Sequence, residues 1–193
     1  MSMAHPLAPE PRAGHEFATL GGGCFWCLEA VFEDLEGVLD LECGYCGGHL
    51  AEPDYRRVCD GDTGHAEVVR IEFDPARLAY LDLLEVFFAV HDPTTRDRQG
   101  GDVGSQYRSV IFTHSPAQHD AARQALLAAQ LRHAAPVVTE VRPAPAYWRA
   151  EVEHQQYFRR HPQQGYCAVV IAPKVGHFRS AFAARRKRGA PAD

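Results

Sequence analysis

Two hydrophobic periods alternate along this chain, and together they predict a mixed α and β fold. Residues 16–20 alternate as a short strand, and Gly21-Gly22-Gly23 then lets the backbone turn before Leu28, Val31, Phe32 and Leu35 recur at helical spacing. Gly37 stops that helix. Residues 38–45 form a weaker strand, followed by Gly47-Gly48 and a polar loop through Pro53. The clearest strand is 65–73, ended by Asp74-Pro75. A strongly apolar helix over 78–91 breaks at His91-Asp92-Pro93. The polar, glycine-bearing stretch 94–106 has a length that usually carries function, and 107–113 returns as a strand. Ser115-Pro116-Ala117-Gln118 reads as an N-cap, a first-turn proline and a capping-box glutamine opening an Ala-rich helix to about Arg132. A short strand over 137–141, a helix over 150–160 and an apolar run over 167–172 complete the pattern. The expected architecture is α+β: a two-layer α/β sandwich, ferredoxin-like, around one mixed β-sheet.

The two ends differ from this body. Residues 1–15 are proline-rich and without period, which predicts a flexible N-terminal arm. Residues 179–193 carry Arg185, Arg186, Lys187 and Arg188 and read as a basic flexible tail. One folded domain over 16–178 is left, in keeping with a chain of 193 residues.

Composition narrows the function. Hydrophobic residues make up 46% and charged residues 23%, ordinary globular values. The net charge of −5 offers nucleic acid no attractive field, and no apolar run is long enough for a membrane-spanning helix. Six cysteines stand out: Cys24, Cys27, Cys43, Cys46, Cys59 and Cys167. A domain of this size buries enough surface to fold without disulfides. The N-terminal residues have prolines and histidines where a secretory signal has an apolar stretch, so a cytoplasmic chain with reduced thiols is expected. Metal binding or redox chemistry then remains to explain the thiols.

Cys24 sits after a strand at the first turn of a helix, where the helix dipole and unpaired N–H groups favour thiolate. It is a candidate nucleophile, or equally a buried small hydrophobe. Phe25 and Trp26 beside it are core residues or the wall of an apolar pocket. In the strand 65–73, period two places Glu67 on the face of Val69, Ile71 and Phe73. A carboxyl held there is pushed toward its neutral, proton-donating form; the alternative is a strand-end glutamate bent out to water. The loop residues Asp102 and Tyr107 offer an acceptor and a hydroxyl donor among glycines. Cys24-x-x-Cys27 and Cys43-x-x-Cys46 also have the spacing of a four-cysteine zinc site, and the first pair alone that of a redox dithiol. A zinc-stabilised interaction module on Cys24, Cys27, Cys43 and Cys46 is therefore the rival to an enzyme.

Read in order, Gly23-Cys24-Phe25-Trp26, Gly44-Tyr45-Cys46-Gly47-Gly48, Pro53-Asp54-Tyr55, Thr63-Gly64-His65-Ala66-Glu67, His91-Asp92-Pro93-Thr94, Gly101-Asp102-Val103-Gly104-Ser105-Gln106-Tyr107, His154-Gln155-Gln156-Tyr157 and Gly165-Tyr166-Cys167 resemble the peptide methionine sulfoxide reductases of the A type. The resemblance covers most of the chain. It implies a thiol-dependent enzyme reducing the S epimer of methionine sulfoxide, free or in oxidised proteins, without cofactor or metal. Cys24 would attack the sulfoxide sulfur and become a sulfenic acid, with Glu67 protonating the oxygen. Phe25 and Trp26 would take the substrate methyl group, Tyr55 and Tyr107 would bind the oxygen, and Asp102 would hold substrate or a water. Cys167 would be the resolving cysteine, forming a disulfide that thioredoxin reduces, in a monomer with no nucleic-acid or membrane partner. Many members have glycine at the position of Cys27, which makes Cys27 a rival resolver. Cys43, Cys46 and Cys59 receive no role.

Overall fold

The computed structural model describes residues 9–187. Six strands form one sheet: β1 (Glu16–Gly21), β2 (Val38–Cys46), β3 (Ala66–Phe73), β6 (Val110–Thr113), β7 (Glu140–Pro143) and β8 (Tyr147–Arg149). A separate two-strand ladder, β4 (Arg98–Gln99) with β5 (Asp102–Val103), folds the long loop back on itself. The sheet order is β7-β6-β1-β3-β2-β8, with β6 and β7 parallel and every other pair antiparallel. The helices are α1 (Phe25–Phe32), α2 (Tyr55–Asp60), α3 (Tyr80–Val90), α4 (Pro116–Gln130), α5 (Tyr157–Arg160) and α6 (Ala172–Ala181).

The main core lies between the sheet and α1, α3, α4 and α6, where Leu20, Tyr45, Val69, Ile71 and Ile111 meet Phe25, Leu28, Phe32, Phe87 and Phe178. A smaller cluster of Cys46, Ala66, Val68, Val110 and Phe112 fills the other face. Both sheet faces are thus covered, and the mixed two-layer α/β architecture expected from the pattern is present.

The local reading assigns no element to β8, the β4–β5 ladder or α6, and starts β6 three residues early; four further differences have an identifiable physical cause. The pattern assigns no element to 55–60, yet α2 forms there because Asp54 caps it, accepting the Arg57 N–H at 2.9 Å, and Gly61 ends it at φ 80°. The expected strand 137–141 begins instead at Glu140, since Val137 and Val138 spend their N–H groups on the Gln130 side chain and Pro93 carbonyl. The helix expected over 150–160 is not continuous. A 3₁₀ turn (Val152–His154) and the single-turn α5 are separated by Gln156, at φ 53°. Tertiary bonds there outcompete helix propensity: the Gln155 amide pairs with both backbone groups of Cys43, at 2.8 and 3.0 Å.

The fourth difference concerns the basic tail, whose described part is docked. Arg179 pairs with Asp34, Arg185 with Asp82 and Glu85, and the Lys187 N–H donates to the Asp34 carbonyl. The run meets the chain's own carboxylates on the α1–β2 connection and α3, so it is a clasp over 179–187; Arg188 lies outside the described residues. At the other end, Arg12 and His15 of the expected arm reach the buried Glu72, while residues 1–8 lie outside the described residues.

Candidate active site

The turn from β1 into α1 sets the site. Gly23 has φ 94°, and a Cβ there would meet the Gln99 side chain at 2.6 Å. At Gly22 it would meet Phe87 at 2.9 Å and His91 at 3.1 Å. Only glycine lets this segment pass so close to α3 and β4 and still enter a helix. Cys24 follows as the residue capping α1, 7% exposed.

Glu67 lies where the strand period puts it, on the helix-covered face of β3 and 1% exposed. Its Oε2 accepts the Phe25 N–H at 3.1 Å, one of the unpaired donors of the α1 N-terminus. That bond lowers its pKa, but burial outweighs it and, with Asp102 and Cys27, pushes the carboxyl up to about 8. Glu67 is therefore a neutral acid near pH 7, tied to the residue beside Cys24.

The expectation that the helix end makes Cys24 a thiolate is not met in the resting protein. Burial raises its pKa well above the usual thiol value, the Cys27 thiol and the Glu67 charge add to this, and the Trp26 N–H opposes them only in part. Cys27, one helical turn on, is drawn down to about 7 by its interaction with Cys24, against the cost of its own burial and with help from Lys174 and Tyr166. The two thiols lie close enough that the charge on either one shifts the titration of the other.

Aromatic rings surround these groups. Trp26 stacks on Tyr157, centroids 3.7 Å apart and planes 6° from parallel, and meets Tyr166 edge-on at 6.1 Å. His154 lies between Tyr55, at 4.3 Å, and Phe25, at 5.4 Å. Glu151 holds Tyr55 from its backbone N–H at 2.7 Å and Tyr45 from its hydroxyl at 2.8 Å. The Tyr166 hydroxyl donates to Asp102 Oδ2 at 2.5 Å and lies 4.0 Å from Cys27 Sγ. Burial pushes the Tyr107 phenol up from its ordinary value, and Glu67, Cys59, Cys24 and Asp102 lie near enough to add to this when ionised. The fold thus gathers Cys24, Phe25, Trp26, Tyr55, Glu67, Asp102 and Tyr107 from five separate segments. It adds Glu29, Glu151, His154, Tyr157 and Tyr166, which no local pattern marks with a role.

The remaining cysteines separate. Cys43 and Cys46 are three residues apart on β2 and so face opposite sides of the sheet, Cys43 in the main core and Cys46 in the smaller cluster. They cannot converge with Cys24 and Cys27 on one ion, and the described residues contain no grouping of three or more metal-ligating side chains. The zinc-module reading is corrected accordingly. Cys167 is buried at the start of a π-helical turn (Cys167–Ile171) that leads into α6, with its pKa raised by burial and by Cys27. Cys59 is exposed on α2, its thiol against the Tyr55 phenol.

A family model described as peptide methionine sulfoxide reductase matches residues 16–186. The chain belongs to the peptide methionine sulfoxide reductase family. It is 58% identical over 181 residues to the peptide methionine sulfoxide reductase MsrA of Ralstonia nicotianae, covering 90% of this chain and 94% of that one. With MsrA of Deinococcus radiodurans it shares 49% identity over 90% of this chain and 85% of that one. Among solved structures, reduced Mxr1 of Saccharomyces cerevisiae superposes with a TM-score of 0.76 at 32% identity, over 82% of this chain and 92% of that one. Methionine sulfoxide reductase A of Corynebacterium diphtheriae gives 0.72 at 36%, over 86% and 88%. Mxr1 in complex with Trx2 shares the fold, with a TM-score of 0.55 at 22% identity over 78% of this chain and 89% of that one. As a methionine sulfoxide reductase this chain is an enzyme, and among its described residues no helix is long and apolar enough to cross a membrane.

Proposed function

We propose that this reductase acts on the S epimer of methionine sulfoxide, in oxidised proteins and as the amino acid, with Cys24 as nucleophile and Glu67 as general acid. The observation that carries this is the placement of a buried, neutral carboxyl against the first N–H of the helix that begins at Cys24. Sulfoxide oxygen leaves sulfur poorly until it is protonated. As Cys24 Sγ attacks, Glu67 donates its proton to the oxygen and recovers one from the Cys24 thiol. The S–O bond to the substrate breaks as oxygen passes to Cys24, so methionine leaves and Cys24 becomes a sulfenic acid. Net, the thiol proton ends on the transferred oxygen.

Phe25 and Trp26 supply the apolar surface for the methyl group, Tyr55 and Tyr107 the donors for the oxygen, and Asp102, oriented by Tyr166, an acceptor for the substrate amide or a water. The interaction of Cys27 with Cys24 and its pKa of about 7 support Cys27 as the thiol that condenses first, expelling water. Cys167, the resolver that the family resemblance implies, then takes the disulfide from Cys27 by exchange. Its place in a π turn, a register less stable than α, favours the local opening this needs. Thioredoxin is the reductant that closes the cycle, as the Trx2 complex of Mxr1 suggests, and the cytoplasm is the compartment.

Separated S and R epimers of a methionine sulfoxide peptide test the reading with dithiothreitol and with thioredoxin. Methionine should form from the S epimer alone, by either reductant, and not in Cys24→Ser. Reduction of the R epimer at a similar rate, or activity surviving in Cys24→Ser, overturns it.

A further inference from the structure

Glu29 is a carboxylate 3% exposed in the middle of α1, a position that costs solvation and that the reaction does not use. It lies one turn beyond Trp26 on the same helix, and it reaches out of that helix to another segment. One oxygen accepts the Gln156 N–H at 2.6 Å and the other the Tyr157 N–H at 3.1 Å. Gln156 is held in a left-handed conformation, φ 53° and ψ 37°, which glycine adopts freely and glutamine rarely. Directly after it, Tyr157 lays its ring flat on Trp26. Next to it, Gln155 brackets the Cys43 backbone, and the Cys43 thiol interacts with the Glu29 carboxyl. A strained backbone is thus fixed at both of its N–H groups by one buried side chain from the helix that carries Cys24.

We infer that Glu29 is a positioning residue for substrate binding: by holding the 156–157 backbone it sets the Tyr157 ring against Trp26, so that the aromatic wall beside Cys24 is formed before substrate arrives. The inference rests on Trp26 forming part of the substrate site. A carboxylate suits this task because each of its oxygens accepts one N–H, whereas a carboxamide turns an NH₂ toward one of the two donors. The carboxylic acid would likewise present a hydroxyl to one of them. Glu33 at the C-terminal cap of the same helix, Cys43 on β2 and Arg159 of α5, paired with Glu33, are the titratable and charged groups around it. Burial, with Glu33, raises Glu29 to about 7 against the pull of the two N–H groups. The wall is therefore expected to loosen as pH falls through about 7.

The test compares Glu29→Gln, Glu29→Asp, Tyr157→Leu and the Glu29→Gln/Tyr157→Leu double variant in the full chain. KM is measured for an S-sulfoxide peptide, and the single-turnover rate is measured at saturating peptide. Glu29→Gln and Tyr157→Leu should each raise KM about tenfold and leave the saturated single-turnover rate within about twofold. The double variant should be no worse than either single one, because both changes remove the same wall, and Glu29→Asp should fall between Gln and wild type. Tryptophan emission should shift near pH 7 in the wild type and not in Glu29→Gln. Additive KM effects, a lower saturated rate at unchanged KM, or unchanged KM in Glu29→Gln overturn the inference. If Glu29→Gln does not fold, an unchanged KM in Tyr157→Leu overturns it. A wild-type chain that reduces no S-sulfoxide instead sinks the proposed function, and the two failures are thereby told apart.

Discussion

Glu67 on β3 and Phe25 on α1 are joined by a 3.1 Å bond from the Phe25 N–H to the Glu67 carboxyl, which anchors the proposed general acid to the turn that carries Cys24, the proposed nucleophile. One bond thereby registers strand and helix at the point where proton transfer and sulfur attack must coincide. Glu67→Gln keeps an acceptor for that N–H and loses the proton. Turnover is expected to fall roughly a hundred- to ten-thousandfold with substrate binding retained, and an unchanged rate would remove Glu67 from the mechanism.

The pH profile follows from two groups. The proposed cycle requires Glu67 protonated, a condition lost as pH rises through about 8, and Cys27 ionised, a condition gained through about 7. A narrow bell between these limbs is expected with thioredoxin as reductant, and Glu67→Gln should abolish the alkaline limb. Stability has its own sign. The folded pKa of Glu67 exceeds its unfolded value of about 4.3, so the folded state retains the proton and stability falls as pH rises from about 4.3 to about 8, then levels. Glu67→Gln should therefore melt higher than wild type at pH 9. A lower melting temperature there would show that the carboxylate is stabilised by its surroundings.

The thiol order is open to direct mapping. After one turnover without reductant, Cys27→Ser should still release one methionine per enzyme and accumulate the Cys24 sulfenic acid, trappable by dimedone. Cys167→Ser should accumulate a Cys24–Cys27 disulfide. A Cys24–Cys167 disulfide formed at the wild-type rate in Cys27→Ser would make Cys167 the direct resolver.

Gly23→Ala is expected to cost roughly 1–3 kcal/mol, because φ 94° is strained for alanine and its Cβ collides with Gln99. Gln99 in turn brackets Asp92 through bonds of 3.0 Å each way. Thermal melting should show the loss, with a fall in the Cys24 alkylation rate of active enzyme, since the same turn aims the nucleophile. An unaltered melt would indicate that the turn relaxes without strain.

Arg185 offers a contrast far from the chemistry. Its pairs with Asp82 and Glu85 are about a third to a half exposed, so Arg185→Ala should cost about 0.5–1 kcal/mol, or about 1–4 °C in Tm, with kcat and KM unchanged. No shift in Tm would mean that the backbone contacts of the clasp suffice to hold it.

The sequence by itself determined the alternation that builds both sheet faces, the side of β3 on which Glu67 lies, the glycine turn before Cys24 and the serine-capped start of α4. Each of these follows from a period or a cap written over a few consecutive residues. The order of blocks such as Gly23-Cys24-Phe25-Trp26 also carried the family. Only tertiary structure decided the ionisation of Cys24, since the helix end favours thiolate locally while burial by distant segments disfavours it more. The broken helix at Gln156 is likewise decided by Glu29 and Cys43, more than a hundred residues away in sequence, and the basic run becomes a clasp only because Asp34, Asp82 and Glu85 come to lie beneath it. Periodicity reports which face a residue takes; solvation and long-range hydrogen bonding depend on what that face meets, and that information is spread over the whole chain.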